Sequence, residues 1–223
     1  MRKALMAAVA ACALIAAGGT GQAQEKLRIG VLATLSGALT SGGEDGVRGA
    51  QVALKQRGGK IAGREVEFII AATDASPDSA LRAARKLVEQ DKVQLILGPL
   101  SGSEGIAMRD YSKTVPNVTV VDASSGALET TYVNPSPNYF RFNSNGAMWM
   151  AGLGEYVFKD KGYKKLAVIG EDYSFPYTQV FGFALGYCKA GGQIVQRQWV
   201  PLGTKDFGSV IANIPDDVDA DRK

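Results

Sequence analysis

Val93-Gln94-Leu95-Ile96-Leu97-Gly98-Pro99-Leu100-Ser101-Gly102-Ser103 decides how the fold is read. Residues 93–97 are short and almost continuously apolar, which predicts a central strand covered on both faces. Gly98-Pro99 breaks the strand, and Ser101-Gly102-Ser103 opens a helix expected to run to about Lys113. The result is a strand, a turn of small residues and a helix. The same order recurs on both sides of it.

Upstream, residues 27–33 read as a first strand, 34–43 as a polar, glycine-rich turn, and a helix follows from about Glu44 with Val47, Ala50, Ala53 and Leu54 on its inner face. Gly58-Gly59 stops that helix. Residues 64–71 form a second strand, and Ser76-Pro77 starts a helix whose buried stripe is Ala80, Leu81, Ala84, Leu87 and Val88. Downstream, 118–121 is a fourth strand closed by 122–126, and 139–142 reads as a strand leaving the first unit. A new unit then begins. One helix is expected over 147–159 with Trp149, Leu153, Tyr156 and Val157 inward, then a strand at 165–170, a helix at 177–190, a strand at 193–200 and a short helix at 207–214. Alternating strands and helices of this kind predict an α/β fold with parallel sheets.

The first residues carry Arg2 and Lys3, followed by an uncharged apolar run over 4–17 and small residues at Gly21 and Ala23. This pattern predicts a secretory signal over 1–23, cleaved after Ala23, and therefore a periplasmic location. About 14 apolar residues fall short of the roughly 20 that span a bilayer. Val9-Ala10-Ala11-Cys12 offers the alternative of a lipoprotein processed at Cys12. Removing 1–23 takes away two of the 25 Lys and Arg and none of the 22 Asp and Glu, so the formal charge falls from +3 to +1. A near-neutral chain without a Lys/Arg cluster does not predict a nucleic-acid partner. Cys188 would then stand alone, so no disulfide is expected within the chain.

The chain contains no histidine, which argues against the usual catalytic triads and zinc sites. Ser101-Gly102-Ser103-Glu104-Gly105 resembles a nucleophile elbow, but serine stands at 101 where the elbow needs glycine. Gly152-Leu153-Gly154 falls inside a predicted helix, and Gly58-Gly59-Lys60 lacks the spacing of a phosphate loop. Asp216, Asp217 and Asp219 lack the glycine and distal glutamate of a calcium loop. No enzyme, metal site or cofactor is predicted.

Ligands of open parallel sheets sit beyond the carboxyl ends of the strands, where helices begin with free N–H groups. The turns 34–43, 98–103 and 122–126 are such places, rich in Ser, Thr and Gly and almost uncharged. They suit a small anion held by hydroxyls and amides, although caps and turns need the same residues. Tyr173 and Phe175 add aromatic surface, either to clamp a ligand or to begin the buried face of the next helix.

Leu27-Arg28-Ile29-Gly30-Val31, Leu95-Ile96-Leu97-Gly98-Pro99, Tyr139-Phe140-Arg141-Phe142 and Gly170-Glu171-Asp172-Tyr173-Ser174, in this order behind an export signal, resemble the Leu/Ile/Val-binding family of periplasmic proteins. The resemblance implies a type I periplasmic-binding-protein fold, with Rossmann-like lobes at 24–140 and 141–223 joined by a hinge, the second lobe incomplete. It implies a monomer that closes on a branched-chain amino acid or a related small carboxylate, aromatic ones included, and delivers it to ABC permease subunits. A sensory module of the same fold is the alternative. By position it assigns ligand contacts to Ser101, Gly102 and Ser103, to Ser124 and Ser125, and to Tyr173 and Phe175. Gly102 stands where many relatives have serine, and Gly146 where an acid often holds the ligand ammonium, which favours a carboxylate without an amine. Relatives continue with a strand where 221–223 stand here, so a C-terminally truncated or frameshifted copy with exposed apolar sheet surface is expected.

Overall fold

The computed structural model describes residues 25–218. The predicted export signal, the Cys12 alternative and residues 219–223 lie outside the described residues. In chain order the elements are β1 (Leu27–Thr34), α1 (Thr40–Gln56), β2 (Lys60–Ile61), β3 (Arg64–Thr73), α2 (Pro77–Glu89), β4 (Leu95–Leu97), α3 (Gly102–Ser112) and β5 (Thr119–Asp122). After a 3-10 turn at Leu128–Thr130 come β6 (Tyr139–Arg141), α4 (Gly146–Trp149), α5 (Leu153–Lys159), β7 (Lys165–Glu171), α6 (Ser174–Lys189), β8 (Gln193–Val200) and α7 (Gly208–Ala212).

The first sheet has the order β2-β3-β1-β4-β5-β6, parallel throughout except where the short β2 turns back on β3. β7 and β8 make a separate two-stranded parallel sheet. The α/β reading with parallel sheets therefore holds, and the second unit carries the smaller one. Helix starts follow local chemistry. Ser76 caps α2 by accepting the Ser79 N–H, with Pro77 in the first turn. Ser101 and Glu104 form a reciprocal capping box at α3.

The core lies on the side of the first sheet covered by α2 and α3. Ala80, Ala84, Leu87 and Met108 are sealed against Leu32, Ile96, Val120 and Tyr139. Each large side chain buried there contributes about 1.5–3 kcal/mol. The buried stripe expected for α2 is the one observed.

The opposite side is not sealed. Register places Ile70, Val31, Leu97, Val121 and Phe140 in one row across five strands, yet Ile70 is 44% and Phe140 49% exposed. The prediction that 93–97 is covered on both faces therefore needs correcting: Ile96 is buried, while Leu95 and Leu97 are half-exposed. The cause is the glycine content of α1. At Gly43 a Cβ would overlap the Thr34 carbonyl, whereas at Gly46 and Gly49 it would meet nothing within 4 Å. The helix thus touches the sheet at its first turn, and an open apolar cavity of about 340 Å³ remains beside Val47, Ala50, Ala53 and Leu97.

The single helix expected over 147–159 is also corrected. Gly152 sits at φ +83°, a left-handed conformation that separates α4 from α5. Trp149 is 54% exposed rather than inward, and Leu153 and Tyr156 are exposed too. The face turned to α6 is the one carrying glycine: a Cβ on Gly154 would overlap the Phe183 carbonyl, and one on Gly182 would overlap Ala147. Backbones that approach this closely leave the large side chains outside. Tyr187 of α6, fully buried, stacks on Phe183 and meets Phe158 edge-on.

Candidate ligand-binding cleft

Because β1, β4 and β5 are parallel, the three turns that follow them emerge at one edge of the sheet. They converge there. Ala38, Leu39, Ser41 and Gly42 from the first, Leu100, Ser101 and Gly102 from the second, and Ser124 and Gly126 from the third form one side of a cleft of about 280 Å³. Trp149, Tyr173 and Phe175 close it from the other. Five of the seven residues proposed from sequence, Ser101, Gly102, Ser124, Tyr173 and Phe175, line this space; Ser103 and Ser125 do not.

Within the β4 turn, Ser101 is 2% exposed and its hydroxyl is committed inside the protein. It donates to the Ala75 carbonyl at 2.9 Å and accepts the Glu104 N–H at 3.3 Å. The Gly105 N–H is taken by the Ser101 carbonyl. A helix leaves four amides of its first turn unpaired by geometry, so Gly102 and Ser103 are the two whose N–H groups remain for a ligand. Ser103 spends its hydroxyl on Ser174, whose hydroxyl lies at 2.9 Å and whose N–H donates to it at 3.3 Å. That bond ties α3 to the first turn of α6.

The β5 turn hangs on Asp122. Its Oδ1 accepts the N–H groups of Ser124 (3.1 Å) and Ser125 (2.7 Å), and its Oδ2 accepts the Tyr139 hydroxyl at 2.7 Å. The arrangement sends successive side chains apart. Ser124 is exposed at the cleft, whereas Ser125 is buried against α3, where a Cβ on Gly105 would overlap its hydroxyl. Asn143 reinforces the turn by donating to the carbonyls of Ser124 and Ser125.

Burial pushes the Asp122 carboxyl up to about 6, the bonds from Tyr139, Ser124 and Ser125 opposing it. It raises Glu104 as well, although Ser101 N–H and the Thr34 hydroxyl donate to that carboxylate. The folded chain thus holds these protons more tightly than the unfolded chain, in which a carboxyl such as Asp122 titrates near 3.8. The stabilising contribution of Asp122 is complete below that value and is lost as pH rises through about 6. In Asp122→Asn the fall in urea midpoint between pH 4 and pH 6.5 should be visibly shallower than in the parent; an unchanged slope would remove Asp122 as its source.

The second unit supplies aromatic surface. Phe175 meets Trp149 edge-on at 5.0 Å and Tyr173 at 6.4 Å, tilted by 42°. Burial lifts the Tyr173 phenol to about 12, so it stays neutral at physiological pH. No charged side chain lines the cleft. Sequence reasoning assigned Trp149 to a buried helix face and missed it here; the signal available was Asn145, whose side chain caps α4 and so begins that helix at Gly146, one residue earlier than expected. An anion entering this space would meet the Gly102 residue that opens α3, the Ser124 hydroxyl and the positive end of that helix, and its body would meet three rings.

Comparison with known proteins agrees with this architecture. A model described as "Periplasmic binding protein" matches residues 26–220. Among relatives, Leu/Ile/Val-binding protein homolog 6 of Brucella abortus is 26% identical over 220 residues, covering 97% of this chain and 54% of the relative. An ABC transporter substrate-binding protein from Sphaerobacter thermophilus is 33% identical with a TM-score of 0.71, covering 85% of this chain and 52% of that one. A solute binding protein of an ABC transporter from Rhodopseudomonas palustris BisB5, in complex with 3,4-dihydroxybenzoic acid, is 25% identical with a TM-score of 0.76, covering 84% and 50%. The chain spans about half the length of the relatives it matches. With its parallel sheets, its converging turns and a family match over nearly all the described residues, the chain belongs to the periplasmic binding protein family.

Proposed function

We propose that this chain is the solute-binding part of an ABC importer, taking up a small carboxylate in the periplasm and presenting it to the permease subunits. The observation that carries the reading is the meeting of three uncharged strand-tip turns at one cleft, with Gly102 of the first turn of α3 at its wall. The division into lobes falls between β6 and α4, at about residue 141, so that the cleft lies between them and closure is a hinge motion without chemistry. Gly102 and Ser103 hold the carboxylate by their amides, Ser124 by its hydroxyl, and Ser101 and Ser125 set the two turns in place. Tyr173, Phe175 and Trp149 cover the ligand body.

Binding rather than catalysis is supported by the state of Ser101. The hydroxyl nearest to a nucleophile already donates to a carbonyl, and the chain has no histidine to activate it. Among the described residues no helix is long and apolar enough to cross a membrane, which fits a protein that meets its permease from outside the bilayer. The matched structures from Sphaerobacter thermophilus and Rhodopseudomonas palustris are named as substrate- or solute-binding proteins of ABC transporters.

Calorimetric titration of the chain with benzoate, 4-hydroxybenzoate and L-leucine tests the reading. At least one should bind, and Ser124→Ala should weaken that ligand about tenfold, the effect of losing one hydrogen bond to a charged group. Absence of heat from all three, or an unchanged Kd in Ser124→Ala, would count against it.

A further inference from the structure

Glu104 is fully buried beneath the β4 turn and does not itself line the cleft. Its Oε2 nevertheless joins two of the three turns that do. It accepts the Ser101 N–H at 3.0 Å, one residue before Gly102 reaches the cleft wall. It also accepts the Thr34 hydroxyl at 3.3 Å, where β1 ends and the turn carrying Ser41 and Gly42 begins. Thr34 lies 3.2 Å from the Thr73 hydroxyl, so the ends of β1 and β3 and the start of α3 meet around one carboxyl. The other oxygen, Oε1, is buried without a hydrogen-bond partner.

Among the described residues no cation is paired with Glu104. On α3, Arg109 spends its guanidinium on Asp110 and on the carbonyls of Glu129 and Val133. β1 and β3 have Arg28 and Arg64 at their opposite ends, with Glu65 and Glu67 beside the latter, and α6 carries no charge before Lys189. On α2, Asp78 stands in the first turn and Arg82, Arg85 and Lys86 follow a turn or more later. Asp122 ends β5, and Asp74, held down at about 2 by its bonds with Ser76 and Ser79, follows β3. A buried carboxylate with one oxygen orphaned and no countercharge is costly, whereas the neutral acid is not. Burial accordingly raises Glu104 above its ordinary value against the opposing bonds of Thr73, Ser101 and Thr34, and the Asp74 charge adds to the rise.

Resting on the carboxylate-binding reading above, we infer that Glu104 is a positioning residue for the bound carboxylate, joining the β1 and β4 turns as an uncharged acid so that no second negative charge lies beneath the anion. An ionised Glu104 would accept the same two bonds, but it would repel the ligand through a poorly screened interior. The anion and the Glu104 proton therefore favour one another, and by linkage each tightens the hold on the other. Affinity falls as rising pH removes that proton.

Glu104→Gln and Glu104→Ala separate shape from charge. Benzoate, 4-hydroxybenzoate and L-leucine are titrated calorimetrically into the parent and both variants at pH 6 and pH 9. Glutamine keeps an acceptor for Ser101 and Thr34 and cannot ionise, so at pH 6 it should bind whichever acid the parent binds to within about threefold. At pH 9 it should bind that acid at least threefold more tightly than the parent. Asp122 titrates in all three proteins, so the difference between parent and glutamine variant isolates Glu104. Glu104→Ala, which leaves both donors without their acceptor, should weaken the same ligand at least tenfold at both pH values, with a urea midpoint measured alongside to show that it is folded. A tenfold loss in Glu104→Gln at pH 6, pH profiles of parent and Glu104→Gln that superimpose, or an unchanged Kd in folded Glu104→Ala would overturn the role of Glu104 while carboxylate binding stands. If the parent binds none of the three acids, both fall.

Discussion

Gly43→Ala should destabilise the chain by about 3 kcal/mol or more, at the upper end of what overpacking costs. The added methyl would lie on top of the Thr34 carbonyl, which is backbone of the central strand β1 and has no rotamer to give. Relief requires the first turn of α1 to lift away from the sheet, and that turn carries Ser41 and Gly42 into the cleft. Stability and ligand binding should therefore fail together. Gly46→Ala, three residues on in the same helix, is the internal control. Its methyl meets nothing within 4 Å, so replacing a helical glycine should stabilise by about 1 kcal/mol. Urea midpoints moving in opposite directions would confirm that α1 touches the sheet at one end only; a parallel shift would show that it lies flat.

Asp122→Ala is the second large effect. The buried carboxylate serves three donors at once, the amides of Ser124 and Ser125 and the Tyr139 hydroxyl. Truncation leaves all three without their acceptor, and each orphaned buried group costs about 1–3 kcal/mol. A loss of about 4 kcal/mol is expected, partly relieved where water reaches Ser124. The turn should also lose the conformation that separates Ser124 from Ser125, so any carboxylate found to bind should weaken by more than it does in Ser124→Ala. Urea unfolding and calorimetry on the same preparation would read both. A variant as stable as the parent would show that the turn is held by Asn143 and not by Asp122.

Local chemistry carried much of the fold into view. The strand expected at 193–200 appears with those bounds, Ser76-Pro77 starts a helix, and Ala80, Ala84 and Leu87 are buried together. Where sequence reading went astray, the deciding contact was distant. Trp149, Leu153 and Tyr156 have the spacing of a buried stripe, yet Gly154 and Gly182 bring two backbones so close that the other side of the helix is buried. Leu97 belongs to an apolar run but faces an open cavity, because glycines in α1 leave it without cover.

The cleft divides in the same way. That turns rich in serine and glycine after parallel strands would gather at one edge is a property of the βα order, and five of the seven nominated residues are there. Which hydroxyl is free is not such a property. Ser101 and Ser103 look alike in the chain, but one is consumed by a carbonyl from the neighbouring turn and the other by a serine 71 residues away. What the sequence by itself determined, then, is periodic and local: strand and helix order, caps, and the uncharged nature of the turns, since each rests on residues a few positions apart. Tertiary structure alone decided which donors remain unspent, which glycines let two backbones meet and which sheet face stays open, because those depend on close approach between segments that the chain separates widely.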